Sequence, residues 1–281
     1  MIRGRNNTSI AVRRMDGGIE VSTRPLATLY KGKWREVPLV RGVIALIETV
    51  VLGTGALMYS AQVSTETEQE KITPGMIWGS VIMGVVLAVA LFFVLPLLAA
   101  RLLDPFISSA FLSNVIEGVI RIILFIVYLA VIGRMKDIRE IFAYHGAEHM
   151  SVNAYEAGAP LEVAAVMKYS TAHTRCGTSF LLVVLVLAIA VFALLGRPPI
   201  WISIASRILL LPVIAALSYE LIKLEARYNN NRFVHWLLLP GLWLQAMTTR
   251  RPTDSQLEVA ITAMEKALET DRLTAVPDTV R

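Results

Sequence analysis

Long apolar runs divide the chain into segments of about membrane length, separated by polar stretches. The four clearest runs are residues 75–100, 115–133, 177–195 and 200–217. Each is close to the roughly 20 apolar residues that a helix needs to cross a bilayer. A fifth run, residues 39–61, is apolar but contains Arg41, Glu48 and three glycines. The pattern predicts a mainly α, polytopic helical membrane protein with about four transmembrane helices, and five as the alternative.

The placement of Lys and Arg favours four spans. With four spans, segments 1–74, 134–176 and 218–281 share one side of the membrane and hold twenty-three of these basic residues, whereas Arg101 and Arg197 lie on the other side. Because basic loops are retained in the cytoplasm, we expect both termini to be cytoplasmic. A span at 39–61 would move a basic block outside, so we expect an interfacial or re-entrant helix there.

The polar segments have recognisable patterns of their own. Residues 9–14 and 19–24 alternate in the manner of strands around a short glycine-containing turn, which predicts a small N-terminal β-hairpin. Residues 253–256 form a capping box before helical apolar spacing, which predicts a terminal amphipathic helix. The predicted organisation has seven segments. The first three are a cytoplasmic β-hairpin region (1–38), an interfacial or re-entrant helix (39–61) and an acidic loop (62–74). A transmembrane hairpin (75–133), a cytoplasmic loop and helix with the candidate metal site (134–176), a second transmembrane hairpin (177–217) and a cytoplasmic tail with the amphipathic helix (218–281) follow.

Composition supports the membrane assignment and restricts the partners. The chain has 55% hydrophobic and 17% charged residues, against roughly 25% charged residues in an average soluble protein. Its net charge of +5 comes from basic residues beside apolar spans, without interleaved aromatic residues. This favours the lipid bilayer and anionic lipid head groups as partners over nucleic acid. Membrane protein partners or a homo-oligomer remain open, and the first forty residues contain no secretory signal.

The sequence pattern most typical of a metal site is His-x-x-Glu-His at residues 145–149, which lies in a helix predicted for residues 134–158. Residues four apart point to nearly the same face of a helix, so His145 and His149 can bind one metal ion. In zinc peptidases with this order of residues, the glutamate activates water, which suggests Glu148 as a ligand or general base. The alternative is an ordinary surface helix with a polar stripe.

A second group of metal-binding residues follows on the same predicted loop. His173 and Cys176, the single cysteine, lie within 32 positions of His145, counting residues 145 through 176. Nitrogen and sulfur ligands point to a divalent metal, zinc first, with iron or manganese as alternatives. Three histidine ligands leave a position for water, whose pKa the metal lowers towards about 7, whereas adding Cys176 closes a structural site. Without a metal, His173 caps a helix and Cys176 packs as a small hydrophobe.

These residues predict a membrane-bound, metal-dependent hydrolase in which Glu148 takes a proton from water during attack on a carbonyl or phosphoryl group. One alternative is a non-catalytic scaffold or assembly factor with a structural metal. A transporter is a further alternative, because Glu117, Arg121 and Arg207 lie in predicted spans.

Several sequence blocks resemble the YqhQ-like family of bacterial membrane proteins. The blocks are Arg134–Arg139, Tyr144–His149, Asn153–Glu156, His173–Phe180, Pro240–Gln245 and Asp254–Ala260. The resemblance implies a protein of the bacterial plasma (inner) membrane and, because the family is described as predicted metal-dependent enzymes, metal binding at His145, Glu148, His149, His173 and Cys176. Family members typically begin with a glycine-rich segment, and Met1–Gly4 looks like the tail of that segment.

Overall fold

The computed structural model describes residues 1–65, 74–173, 176–227 and 232–275. Most of the predicted acidic loop, 62–74, lies outside the described residues. The strands are β1 (Ile2–Arg3), β2 (Asn7–Arg13) and β3 (Ile19–Pro25). The helices are α1 (Val40–Thr65), α2 (Pro74–Val89), α3 (Leu95–Leu103), α4 (Ala110–Ile132), α5 (Lys136–Glu156), α6 (Val163–Val166), α7 (Gly177–Ala193), α8 (Ile200–Leu209), α9 (Leu211–Arg227), α10 (Arg232–Thr248) and α11 (Asp254–Ala275).

The N-terminal strands form an antiparallel sheet in the order β1-β2-β3. The β2–β3 register runs from Asn7 opposite Pro25 to Arg13 opposite Ile19, so the predicted hairpin is present. Gly17 adopts a positive φ of 87° in the connecting turn, a conformation that glycine reaches without steric cost. The short β1 was not expected from the sequence, and it pairs with β2 through Ile2 and Ser9.

The helical part confirms the predicted class of membrane protein. Among the described residues, Val40–Val63, Trp78–Phe106 and Ala110–Ile132 are long and apolar enough to cross a membrane. Ile200–Leu209 and Leu211–Leu224 would form a fourth span as one helix bent by 43°. Pro212 lies just after the bend, where its missing N–H and its ring disfavour a continuous helix.

Two segments differ in detail from the predicted spans. Helix α7 covers the expected run, but its 17 residues reach only about 26 Å, slightly less than the roughly 30 Å hydrocarbon core. Helix α1 is long enough to span, yet one of its faces packs on the sheet. Val63 contacts Ile10 and Val12 of β2, and buried Glu48 pairs with Arg3 and with Arg35 at 2.8 and 3.0 Å. These contacts hold α1 on the sheet, and the interfacial or re-entrant placement of residues 39–61, like the alternative of a fifth span, stays a prediction.

The charged residues in the spans pair with one another. Glu117 accepts hydrogen bonds from Arg121 and from Arg207, and all three side chains are buried. Arg121 also donates to the Phe92 carbonyl at 2.7 Å. In a regular helix the Phe92 carbonyl would accept from the backbone N–H of residue 96, but this residue is Pro96 and has no N–H. Arg121 therefore supplies the hydrogen bond that the helix backbone cannot make. This pairing fits a structural role for the buried charges.

A polar layer, defined as β1–β3 with α5, α6 and α11, carries the predicted site. Helix α5 packs its small face on α11, where Ala147, Met150 and Ala154 lie in one buried cluster with Leu257 and Ile261. The predicted capping box begins α11, since the Gln256 amide donates to the Thr253 hydroxyl and the Gln256 side chain accepts from the Thr253 amide. The layer therefore fixes the rotation of α5 about its axis.

Candidate metal centre

Helix α5 brings the two histidines of the His-x-x-Glu-His pattern together. The helix spans Lys136–Glu156 and ends before Gly158, whose φ of 71° suits a helix stop. His145 and His149 lie one turn apart, and their ring centroids are 4.4 Å from each other. Gly146 and Ala147, which lie between the two histidines, are small and buried, so the backbone of neighbouring segments can approach the rings.

Backbone carbonyl groups orient both imidazole rings. His145 donates from Nδ1 to the Thr248 carbonyl at 2.9 Å, and His149 donates from Nδ1 to the Thr171 carbonyl at 2.6 Å. A carbonyl only accepts, so the hydrogen must be on Nδ1 in both rings. Each Nε2 is then the atom available to a ligand. Metal-binding histidines in proteins are held by the same kind of second hydrogen bond.

Cys176 is the third member of a cluster of candidate metal ligands. It is the N-cap residue of α7, and its Sγ accepts from the Thr178 amide at 3.4 Å. The sulfur lies 3.3 Å from Nε2 of His145. One ligand atom from each of His145, His149 and Cys176 lies within 4.8 Å of the other two. The two histidines of α5 and the cysteine at the start of α7 therefore lie around one point.

The environment of Cys176 favours its thiolate. Burial raises the pKa of the thiol, but hydrogen bonds with His145 and His149, followed by those with Thr178, lower it from 9.0 to about 5. Burial lowers the pKa of His145, and its bonds with Cys176 and Thr248 more than offset this, so that its pKa is raised. The raised pKa of His145 and the lowered pKa of Cys176 both favour a pair in which a thiolate faces an imidazolium. A cation would replace the imidazolium proton.

His173, also predicted as a ligand, lies beside this cluster. Its ring centroid is 5.8 Å from that of His149, and its Nε2 is 3.4 Å from a carboxylate oxygen of Glu156. Among the described residues the group of three does not include it. Thr174 and Arg175, which connect it to Cys176, lie outside the described residues. Its role as a fourth ligand stays a prediction.

Glu148, the predicted base, is not one of the three clustered ligand residues among the described residues. Its side chain is 42% exposed and lies 4.0 Å from the Met1 amino group. It lines a cavity of about 680 Å³ together with His145 and Tyr144. Its negative charge also contributes to the raised pKa of His145. Glu148 is therefore close to the cluster and open to solvent.

Two further groups hold the site in place, and neither role was expected from the sequence. Buried Gln245 on α10 accepts from the His173 amide at 3.0 Å and donates to the His173 carbonyl at 2.9 Å. A Cβ at Gly146 would lie 2.1 Å from the Arg250 carbonyl oxygen, so only glycine permits this approach after α10. A glycine inside a predicted helix costs about 1 kcal/mol relative to alanine, so Gly146 was a sequence signal that another segment approaches the helix closely there.

The fold and the site define a polytopic helical membrane protein whose polar layer carries a His, His, Cys cluster. The sequence matches the family described as "Protein of unknown function (DUF1385)" over residues 37–270, and the chain belongs to this family. It is 31% identical over 287 residues to the "Uncharacterized protein YqhQ" of Bacillus subtilis (strain 168), covering 97% of this chain and 90% of the relative. No solved structure matches. The predicted YqhQ-like family is confirmed.

The pKa of Cys176 makes a direct prediction for the metal-free protein. We expect its thiolate absorbance in the ultraviolet to titrate with a midpoint of about 5, so that the thiolate form prevails above that pH and is lost below it. Replacing His145 by alanine removes a hydrogen bond to the thiolate, so the midpoint should rise. A midpoint near the ordinary thiol value in the unaltered chain would contradict the described geometry.

Proposed function

We propose that this chain is a membrane-bound, metal-dependent hydrolase in which His145, His149 and Cys176 hold a divalent ion. The observation that carries the proposal is the convergence of these three ligand atoms with both Nδ1 atoms already engaged by carbonyls. Two nitrogens and a thiolate suit zinc first, with iron or manganese as alternatives.

The distances fit an ion of this size. With metal–nitrogen and metal–sulfur distances of about 2.1 and 2.3 Å and tetrahedral angles, a nitrogen and a sulfur ligand lie about 3.6 Å apart. The observed separation of Sγ and Nε2 of His145 is 3.3 Å. This pair would need to move by a few tenths of an ångström to hold the ion, and the ligand atoms of all three residues lie within 4.8 Å of one another.

Three protein ligands leave one position for water, which favours catalysis over a closed structural site. An ion there supplies Lewis acidity, which lowers the pKa of water towards about 7. We assign Glu148 as the group that accepts the proton, because it lines the same cavity as His145 and its charge acts on that imidazole. Tyr144 lines the same cavity, and burial followed by the charge of Glu140 raises its pKa, so its hydroxyl stays a hydrogen-bond donor at neutral pH.

A scaffold or assembly factor with a structural metal is the second candidate. The observation that favours it is the ring of His173, 5.8 Å from His149, because a fourth protein ligand would close the site. The number of ligands separates the two functions.

The orientation that we propose follows from charge. Twenty-three Lys and Arg residues in segments 1–74, 134–176 and 218–281 support a cytoplasmic location for both termini and for the metal centre, in the bacterial inner membrane. Anionic lipid head groups would bind this basic surface.

Metal content tests the ligand set. Purified protein should contain one metal ion per chain by elemental analysis, and His149→Ala should lose it because the remaining two ligands bind far more weakly. His173→Ala is the matched control, and we expect it to retain the metal. Loss of metal in the control would favour the four-ligand scaffold, and unchanged metal in His149→Ala would remove the site.

The role of Glu148 is tested separately from metal binding. Glu148→Gln keeps the size of the side chain but removes the base, so metal content should be unchanged. Hydrolysis of p-nitrophenyl octanoate in detergent should fall by roughly 10²-fold or more, within the usual range for general acid–base catalysis. An unchanged rate at full metal content would exclude Glu148 as the base.

A further inference from the structure

The cavity beside the metal centre is bounded by the polar layer and by α1. Its volume is about 680 Å³, which is in the range of sites for small molecules. His145, Glu148 and Tyr144 line one part of it, and Ile10, Val12 and Ala56 belong to its apolar walls. A ligand in this cavity would therefore meet both an apolar surface and the side chains of Tyr144, His145 and Glu148.

Helix α1 connects this cavity to the apolar surface of the molecule. The face of α1 that packs on the sheet includes Val63 and Tyr59, whose hydroxyl donates to Glu20 at 3.0 Å. Its other face exposes Val50, Val51 and Leu57. Leu57 is 69% exposed and also lines the cavity, so the cavity is continuous with a surface suited to lipid.

The charges around the cavity determine whether a charged or an uncharged head group fits there. Among the described lining residues, Asp137, Glu140 and Glu148 are acidic, Arg13 is the one basic side chain, and Met1 adds its amino group, which lies 4.0 Å from Glu148. Arg13 is already paired with Glu258 at 2.8 Å. The three carboxylates outnumber the two cationic groups, and each cationic group already faces a carboxylate. A phosphate ester would therefore meet net repulsion, which an uncharged head group avoids.

We propose that the cavity binds a membrane amphiphile with an acyl chain and an uncharged head group, and that its ester is the bond cleaved; this rests on the proposed function. The acyl chain lies against α1 and the ester reaches His145. Hydrolysis breaks the acyl carbon–oxygen bond. The hydroxyl group of water joins the acyl carbon, and the proton accepted by Glu148 passes to the leaving alcohol. No oxidant or further reactant is needed.

Helix α1 offers a matched pair of glycines for the test. Gly53 lines the cavity, and a Cβ there meets no atom within 4 Å, so a larger side chain extends into the cavity without a backbone clash. Gly55 is equally open and lies on another face of the helix, outside the described cavity lining. Leucine at either position has the same helix propensity.

The experiment uses full-length protein in detergent and monopalmitoylglycerol with a photoreactive diazirine in its acyl chain. We expect labelling of the unaltered protein and of Gly55→Leu. Labelling of Gly53→Leu should be about tenfold weaker, the loss expected when roughly two chain methylenes are excluded. A lysophosphatidic acid with the same labelled chain should label several-fold less than the uncharged probe.

Equal labelling of Gly53→Leu and Gly55→Leu would overturn the proposed occupant of the cavity, and so would stronger labelling by the lysophosphatidic acid. Elemental analysis of the same samples separates the two proposals. Full metal content without labelling overturns the amphiphile alone. Labelling that depends on Gly53 in protein without metal supports the cavity and overturns the metal-dependent function.

Discussion

Two backbone carbonyl groups, those of Thr171 and Thr248, determine what the histidines of this protein can do. Each accepts a hydrogen bond from an imidazole Nδ1, so each ring is fixed in orientation and in tautomer. The two carbonyls come from different segments, one before α7 and one at the end of α10. The geometry of the candidate centre therefore depends on the packing of α5 against the segment before α7 and against the end of α10.

The helices α7 and α10 join the site to the membrane part. Gln245 of α10 bonds the backbone of His173 and the hydroxyl of Ser179 on α7 at 2.8 Å. Gly241 allows this close approach, because a Cβ there would lie 2.8 Å from the Ser179 hydroxyl oxygen. Cys176 is held at the start of α7 by the same packing. Movement of these helices would therefore change the distance between the Cys176 sulfur and the two imidazoles of the candidate centre.

Features with a local periodicity could be predicted from the sequence. The hairpin of β2 and β3, the extent of α5, the capping box of α11 and the pairing of Glu117 with Arg121 all depend on residues close in the chain. The contribution of Thr171 and Thr248 could not be predicted, since any residue supplies a carbonyl. The position of α1 on the sheet and the distance between His173 and His149 also depend on long-range packing, which spacing does not encode.

X-ray absorption at the edge of the bound metal tests the central claim most directly. The claim is that two ring nitrogens of α5 and the Cys176 sulfur share one ion. The predicted spectrum has one sulfur neighbour at about 2.3 Å and nitrogen neighbours at about 2.0–2.1 Å. A first shell of nitrogen and oxygen without sulfur, in protein with full metal content, would contradict it.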